Sequence, residues 1–341
     1  MSAPAQRQIA AAQFWVLPLL LGLLLLLFAV RLMIGPSAGL GRAGFSSDLV
    51  REFRLPQAIA AALAGAALAV SGLEMQTVFQ NPLAGPWALG LVASSQLAVA
   101  ALVVSGAVFG LQLSGALSPV SVSGITIASA LGGLTALLGA LKLARHVSNA
   151  TLLICGLLFS AIADGIRGFL LHLVDVRYEL LFLSWNQAGF GGVTWSQLAV
   201  FGVAAAAGLS TALALSKSLN GLLLGNAYAR SLGINLTVTR RLAMFSTILL
   251  AGSATAFCGA VLFIDLAIPH LCRGIFRTSD HRFLVPAAAL MGACMALLAD
   301  AATGLLQGDE ALPVNIVTCL LGGPVVLWVL LRGERGKARV E

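Results

Sequence analysis

The stretch SGLEMQTVFQNPLAGPWALG, residues 71–90, begins as a membrane helix would and then departs from that pattern. Glu74, Gln76, Gln80 and Asn81 stand on the way out of an apolar run, and Pro82 and Pro86 follow them. A helix that ends leaves its last carbonyls without intrahelical partners. Side-chain amides such as those of Gln76, Gln80 and Asn81 satisfy freed backbone groups where lipid cannot. Pro82 prevents simple continuation of the helix, and Pro86 is suited to start the next one. The stretch therefore reads as a rigid polar corner between two spans. These residues alone are compatible with a turn that only caps two helices and equally with a contact surface.

The rest of the chain agrees with a membrane setting. Its 341 residues are 59% apolar and only 10% charged, against about 25% charged residues in soluble domains. Too few charges remain to solvate an exterior in water, so the chain is read as an all-α, polytopic membrane protein forming a single domain over residues 1–341. The net charge of +7 comes from basic residues scattered between apolar segments without aromatic interleaving, which suits membrane topology better than nucleic acid. Cys155, Cys258, Cys272, Cys294 and Cys319 are odd in number and contain no CxxC pair, so they read as small apolar packers. Phe14 to Val30 lies behind a single Arg7 and lacks a small-residue cleavage site, which makes it a first span rather than a signal peptide.

Hydropathy predicts ten spans, near 13–33, 56–77, 88–109, 121–142, 150–171, 193–215, 241–259, 260–277, 283–304 and 312–331. The eighth and tenth are short or interrupted, at Pro269 and at Gly323-Pro324. With the N-terminus in the cytoplasm, fourteen of the 20 basic residues fall inside, among them Lys142, Arg145, Arg230 and Arg339. Six fall outside: Arg31, Arg42, Arg51, Arg54, Arg167 and Arg177. That bias places both termini inside. Residues 54–72, RLPQAIAAALAGAALAVSG, align without gaps with residues 241–259, RLAMFSTILLAGSATAFCG, and each final glycine stands ten residues before a proline. The two segments begin five spans apart and cross in opposite directions, the pattern of an inverted five-helix repeat.

The block GAALAVSGLEMQTVFQNPLAGPWALG resembles the signature of the FecCD-like family, the permease subunits of ABC importers for iron–siderophores, haem and cobalamin. The resemblance continues through LGNAYARSLG (224–233), PHLCRGIFRTSDHR (269–282), LLAD (297–300) and LPVNIVTCLLGGPVVLWVLLR (312–332). It implies a homodimer or a pair of related permeases in the bacterial cytoplasmic membrane. Two cytoplasmic ATPase subunits would sit beneath it, and a periplasmic or lipid-anchored substrate-binding protein would dock outside. A metal chelate would cross by alternating access, with iron–siderophore the expected cargo because it is the broadest class and haem or cobalamin the alternatives. No cofactor is implied. The chain contains no G-x-x-x-x-G-K-[ST] phosphate loop, so it is read as a transport subunit and not as an enzyme, with ATP hydrolysis left to the partner.

Residue by residue, the resemblance carries roles to three places. The loop 216–240 would be the ATPase-coupling loop, with Gly225, Ala229, Arg230, Leu232 and Gly233 as its working positions. Where the family often has an acid near 226–227, this chain has Asn226 and Ala227. Gln76, Asn81 and Pro82 form the cytoplasmic corner. Arg51 and Arg54 would dock the binding protein, Gln57 standing where the family has a second arginine and Gly304 where it has another; both arginines also fit as plain interfacial anchors. Asp300 matches a position expected to hydrogen-bond between helices. Glu74, Asp164 and Asp265 are intramembrane acids, and they supply the alternative reading of a proton-coupled secondary transporter. His146, His172, His270 and His281 show no HxxxH or HExxH spacing, so no metal site is expected.

Overall fold

The structure is a computed structural model that describes residues 3–34, 47–109, 122–144, 146–187, 189–306 and 312–337. Arg42, Arg145 and Arg339 lie outside the described residues. The helices are α1 (Ala3–Met33), α2 (Ser47–Leu49), α3 (Leu55–Phe79), α4 (Leu91–Val108), α5 (Val122–Leu143), α6 (Asn149–His172) and α7 (Val176–Asn186). They continue as α8 (Trp195–Leu223), α9 (Asn226–Ser231), α10 (Leu236–Thr247), α11 (Ser253–Cys258), α12 (Ile264–Phe276), α13 (His281–Leu306) and α14 (Val314–Lys337). A π-helical turn, Val50–Arg54, leads into α3, and another, Ile248–Gly252, joins α10 to α11. Among the described residues eight stretches are long and apolar enough to cross a membrane, Val314–Trp328 of α14 is a shorter apolar helix, and α12 lies where the eighth span was expected, so the count of ten holds approximately.

The eighth span is short for a local reason. Gly259, at φ +73°, ends α11, and Phe263, at φ +69°, precedes α12. The 13 residues of α12 rise about 20 Å, less than the ~30 Å of a bilayer core. Non-helical backbone at that depth needs partners from the protein. Asn315 of α14 supplies them: its Oδ1 accepts from Leu262 N at 3.0 Å, and its Nδ2 donates to Ala260 O at 2.6 Å. In the sequence echo, Gly259 aligns with Gly72, yet α3 runs through Gly72 to Phe79 while α11 stops. The two copies part at that glycine.

Helices in lipid gain nothing from hydrophobic burial against one another, so close approach depends on small residues. A Cβ added to Gly65 of α3 would strike the carbonyl of Gly292 in α13, and one added to Gly292 would strike the carbonyl of Gly65. Gly72 likewise sits directly against the Asp265 backbone at the start of α12. As a result α3 is the central helix, 83% of its span buried against 11% for the peripheral α1.

One expectation needs correcting. The connection expected over 216–240 is shorter, because α8 continues to Leu223 and α10 starts at Leu236. Hydropathy falls at Ser216 and Lys217, but Leu215, Leu219 and Leu222 recur at helical spacing and are buried, which keeps the helix going. The connection between the fifth and sixth spans also holds a helix, α7, too short to cross.

Candidate functional site

At one end of the bundle, α3 closes on Gln80 in the left-handed region, φ +50°, with its amide donating back to the Gln76 and Thr77 carbonyls. Asn81 N reaches Gln76 O at 3.2 Å, and Asn81 Oδ1 accepts Leu83 N at 2.9 Å, so the amide builds the turn that Pro82 fixes. The corner then binds outward. Gln80 Nε2 donates to Leu222 O of α8 at 2.8 Å, Asn149 Nδ2 at the start of α6 donates to Val78 O at 3.4 Å, and His270 Nε2 of α12 donates to Pro82 O at 2.8 Å. Gln76 is used twice: Nε2 donates to Leu266 O at 3.3 Å, and Oε1 accepts Arg273 Nη1 at 2.6 Å. Thr77 Oγ1 lies 2.8 Å from His281 Nε2, at the start of α13. Seven residues of chain, 76–82, thus tie α3 to α6, α8, α12 and α13, five helices in all.

Beside the corner stands α9, a single short helix with a glycine at each end. Gly225, φ +95°, turns the chain out of α8, and Gly233, φ +78°, turns it out of α9. The exit is a Schellman closure, in which Gly233 N donates to Arg230 O at 2.9 Å and Ile234 N to Ala229 O at 3.1 Å. Ala229 is fully buried, packing the helix down, and Arg240 Nη2 of α10 donates to Asn226 Oδ1 at 3.2 Å. The outward side carries Tyr228 and Leu232, each more than half exposed and one helical turn apart, while Leu224, exposed as well, caps the end of α8 before Gly225. Arg230 is exposed beside them. Between the α8–α9 turn and the corner lies a cavity of about 450 Å³ lined by Gln76, Gln80, Asn81, Pro82, Gly225 and Arg273, among others.

The other end of the bundle holds a buried charge cluster. Arg31 Nε pairs with Asp300 Oδ2, Gln57 Nε2 donates to Asp300 Oδ1 at 3.0 Å, and Arg31 Nη1 donates to Ile34 O at 3.1 Å. Helices α1, α3 and α13 are clasped there. Arg54 is also buried and turns inward, its Nη1 donating to Leu32 O at 3.0 Å, whereas Arg51 is exposed. The Arg51 carbonyl accepts Trp195 Nε1 at 3.2 Å, which anchors its backbone to α8.

The sequence model of the FecCD transport family matches residues 16–332. The chain belongs to that family. It is 37% identical over 330 residues to the vitamin B12 import system permease protein BtuC of Salmonella typhi, covering 94% of this chain and 96% of that one, and equally to BtuC of Salmonella newport. A solved metal-chelate type ABC transporter in an inward-facing conformation superposes with a TM-score of 0.82 at 26% identity, over 93% of this chain and 99% of that one. PsaBC from Streptococcus pneumoniae shares the fold, at a TM-score of 0.54 and 16% identity. A FecCD chain of this kind is the permease, the membrane-embedded transport subunit of an ABC importer, and not an enzyme.

Within this FecCD permease the structure brings together residues that the sequence placed in separate groups. Gln76, Asn81 and Pro82 of the corner and Gly225 of the coupling segment line one cavity. Ala229, Arg230, Leu232 and Gly233 follow within the next helix and its exit. Arg51 and Arg54 are not presented alike, since only Arg51 faces out. Sequence reasoning missed Leu224, Tyr228, Arg273 and Arg31. The i, i+4 spacing of 228 and 232 was a signal that could have found Tyr228.

Proposed function

We propose that this chain is the permease of an importer for a bulky metal chelate in the bacterial inner membrane, a single domain paired with a second permease. The corner and α9 face the cytoplasm, with both termini on that side, and two ATPase subunits grip that surface. The observation that carries this reading is the exposed ridge of Tyr228 and Leu232, on a helix fixed at both glycines and joined through the cavity at Gly225 to the corner that ties five helices. A push on the ridge is delivered to α3, α6, α8, α12 and α13 together. Gly225, Ala229, Arg230, Leu232 and Gly233 form this coupling element, and Gln76, Asn81 and Pro82 receive it.

On the outer face a substrate-binding protein docks with Arg51 as the free cation, while Arg54 supports the surface from within by holding Leu32. The cargo is a chelate of the iron–siderophore, haem or cobalamin kind. Identity of 37% to vitamin B12 permeases over nearly the whole chain favours a corrinoid, and an iron–siderophore is the other cargo to test. Retention of one chelate and not the other by the cognate binding protein decides between them.

The experiment is uptake into vesicles holding the permease with its ATPase. Uptake is expected to need ATP and to persist when an uncoupler collapses the proton gradient. Placing aspartates at Tyr228 and Leu232 is expected to lower it by about tenfold or more, as loss of a central apolar contact does. The rival is a proton-coupled carrier that relays through Glu74, Asp164 or Asp265. Uncoupler-sensitive, ATP-independent uptake would establish it and overturn the importer reading.

A further inference from the structure

In the second half of α6, Asp164 and Arg167 pair one turn apart, Arg167 Nη1 to Asp164 Oδ1 at 2.9 Å. Asp164 lies about 5 Å past the midpoint of the span, yet its side chain is 48% exposed, and that of Arg167 25%. The guanidinium is held from behind. Its Nη1 also donates to Gln96 Oε1 of α4, Gln96 Nε2 donates to Asn186 Oδ1 of α7 at 2.6 Å, and its central carbon stands 5.9 Å from the ring centre of the buried Phe182. Three helices thus fix where the arginine points. Among the described residues nothing takes Asp164 Oδ2 or the Nε and Nη2 protons of Arg167. The exposed apolar residues Ile154, Leu158, Ile162 and Ile166 recur every four positions along a different side of α6.

A half-exposed carboxylate at this depth is costly against hydrocarbon, and an apolar protein neighbour would strand both charged groups without partners. We propose that Asp164 and Arg167 face the route of the cargo and select a chelate that carries neutral primary carboxamides. This rests on the importer function proposed above and names the chemistry of its cargo. A carboxamide answers both open groups at once: its oxygen accepts from Arg167 Nη2 while its N–H donates to Asp164 Oδ2. The pair is neutral as a whole, so a carboxylate gains a bond at Arg167 only by meeting the charge of Asp164. A site built to hydrogen-bond one group rejects an analogue that lacks it far more strongly than an apolar pocket does. Corrinoids bear such amides around the ring, whereas a siderophore that presents carboxylates or catecholates offers Asp164 no N–H. Access is open on this helix, since a Cβ added to Gly165 or Gly168 meets nothing within 4 Å.

The test is uptake into vesicles by the permease with its ATPase and binding protein, comparing cobalamin with a cobalamin monocarboxylate in which one peripheral amide is hydrolysed. The parent is expected to prefer the amide form about tenfold, the worth of one hydrogen bond to a charged group. Asp164→Asn leaves Arg167 without a counter-charge and should bring the ratio to about one or below. Asp164→Glu keeps the carboxylate and should keep the preference. One binding protein serves all three, so its own selectivity cancels from the comparison. A parent without preference, or an Asp164→Asn variant with the parent's ratio, overturns the proposal even where the rate falls, because a merely structural carboxylate would slow both forms alike. ATP-driven uptake of a ferric siderophore in place of cobalamin also overturns it and leaves the importer standing. Uncoupler-sensitive, ATP-independent uptake that Asp164→Asn abolishes would bring down the importer reading as well.

Discussion

Arg31 and Asp300 illustrate what a single buried charge demands. Each is almost wholly removed from solvent, and each finds its counterpart far away in the chain, with Gln57 completing the second carboxylate oxygen. Removing one member of such a pair leaves the other uncompensated. Arg31→Ala is therefore expected to cost about 3–5 kcal/mol, read as a lowered midpoint in thermal unfolding in detergent. A double change to apolar residues of similar volume, Arg31→Met with Asp300→Leu, should recover most of the loss. Glu74 presents the opposite case. Both its oxygens are buried without a hydrogen-bond partner, and the neighbouring Ser246 hydroxyl donates instead to Gly208 O at 3.0 Å. Glu74→Gln keeps the shape and removes an unpaired ionisable group, so unfolding stability should be unchanged or higher and ATP-driven uptake retained. Loss of uptake with normal stability would make Glu74 a working group. Asp300 was legible from its LLAD block; Arg31 was not, because an arginine at the end of a span ordinarily turns to the interface.

At the scale of elements, α9 depends on backbone that only glycine adopts cheaply. Gly233 sits at φ +78°, where a side chain adds about 1–2 kcal/mol. Gly233→Val should loosen the Schellman closure and reduce ATP-driven uptake while binding-protein docking, at the far end, stays intact. Comparing uptake with binding-protein affinity for the same variant checks both halves. The helix itself was readable in LGNAYARSLG because two glycines bracket a run of helix formers. The end of α8 was not, since hydropathy reports where lipid stops and not where a helix does. The irregular 259–263 segment was hidden for a related reason: Asn315, which satisfies its backbone, lies more than fifty residues downstream.

For the whole molecule, packing density sets where change is tolerated. At Gly65 the facing atom is main chain of Gly292, which cannot rotate away, whereas an added Cβ at Gly202 of α8 meets nothing within 4 Å. Gly65→Leu should abolish folded permease, the overpacking cost exceeding the ~1–3 kcal/mol typical of cores; Gly202→Leu should express and unfold like the parent. Size-exclusion profiles of the two variants test the contrast. The count of spans and their order were legible because apolar length is written locally in the chain. Which helix lies at the centre was less so, as the buried α3 is marked by its small residues and is less apolar than the peripheral α1.

Helix α3 is held fast along its whole length. Its start is held through Gln57 to Asp300, its middle lies backbone to backbone on α13, and its finish is tied to four other helices. A member fastened at three heights has no slack and serves the bundle as a keel does a hull. Any rocking of the permease would then be borne by the planking around it, above all along the seam between α5 and α6, where a groove of about 600 Å³ opens.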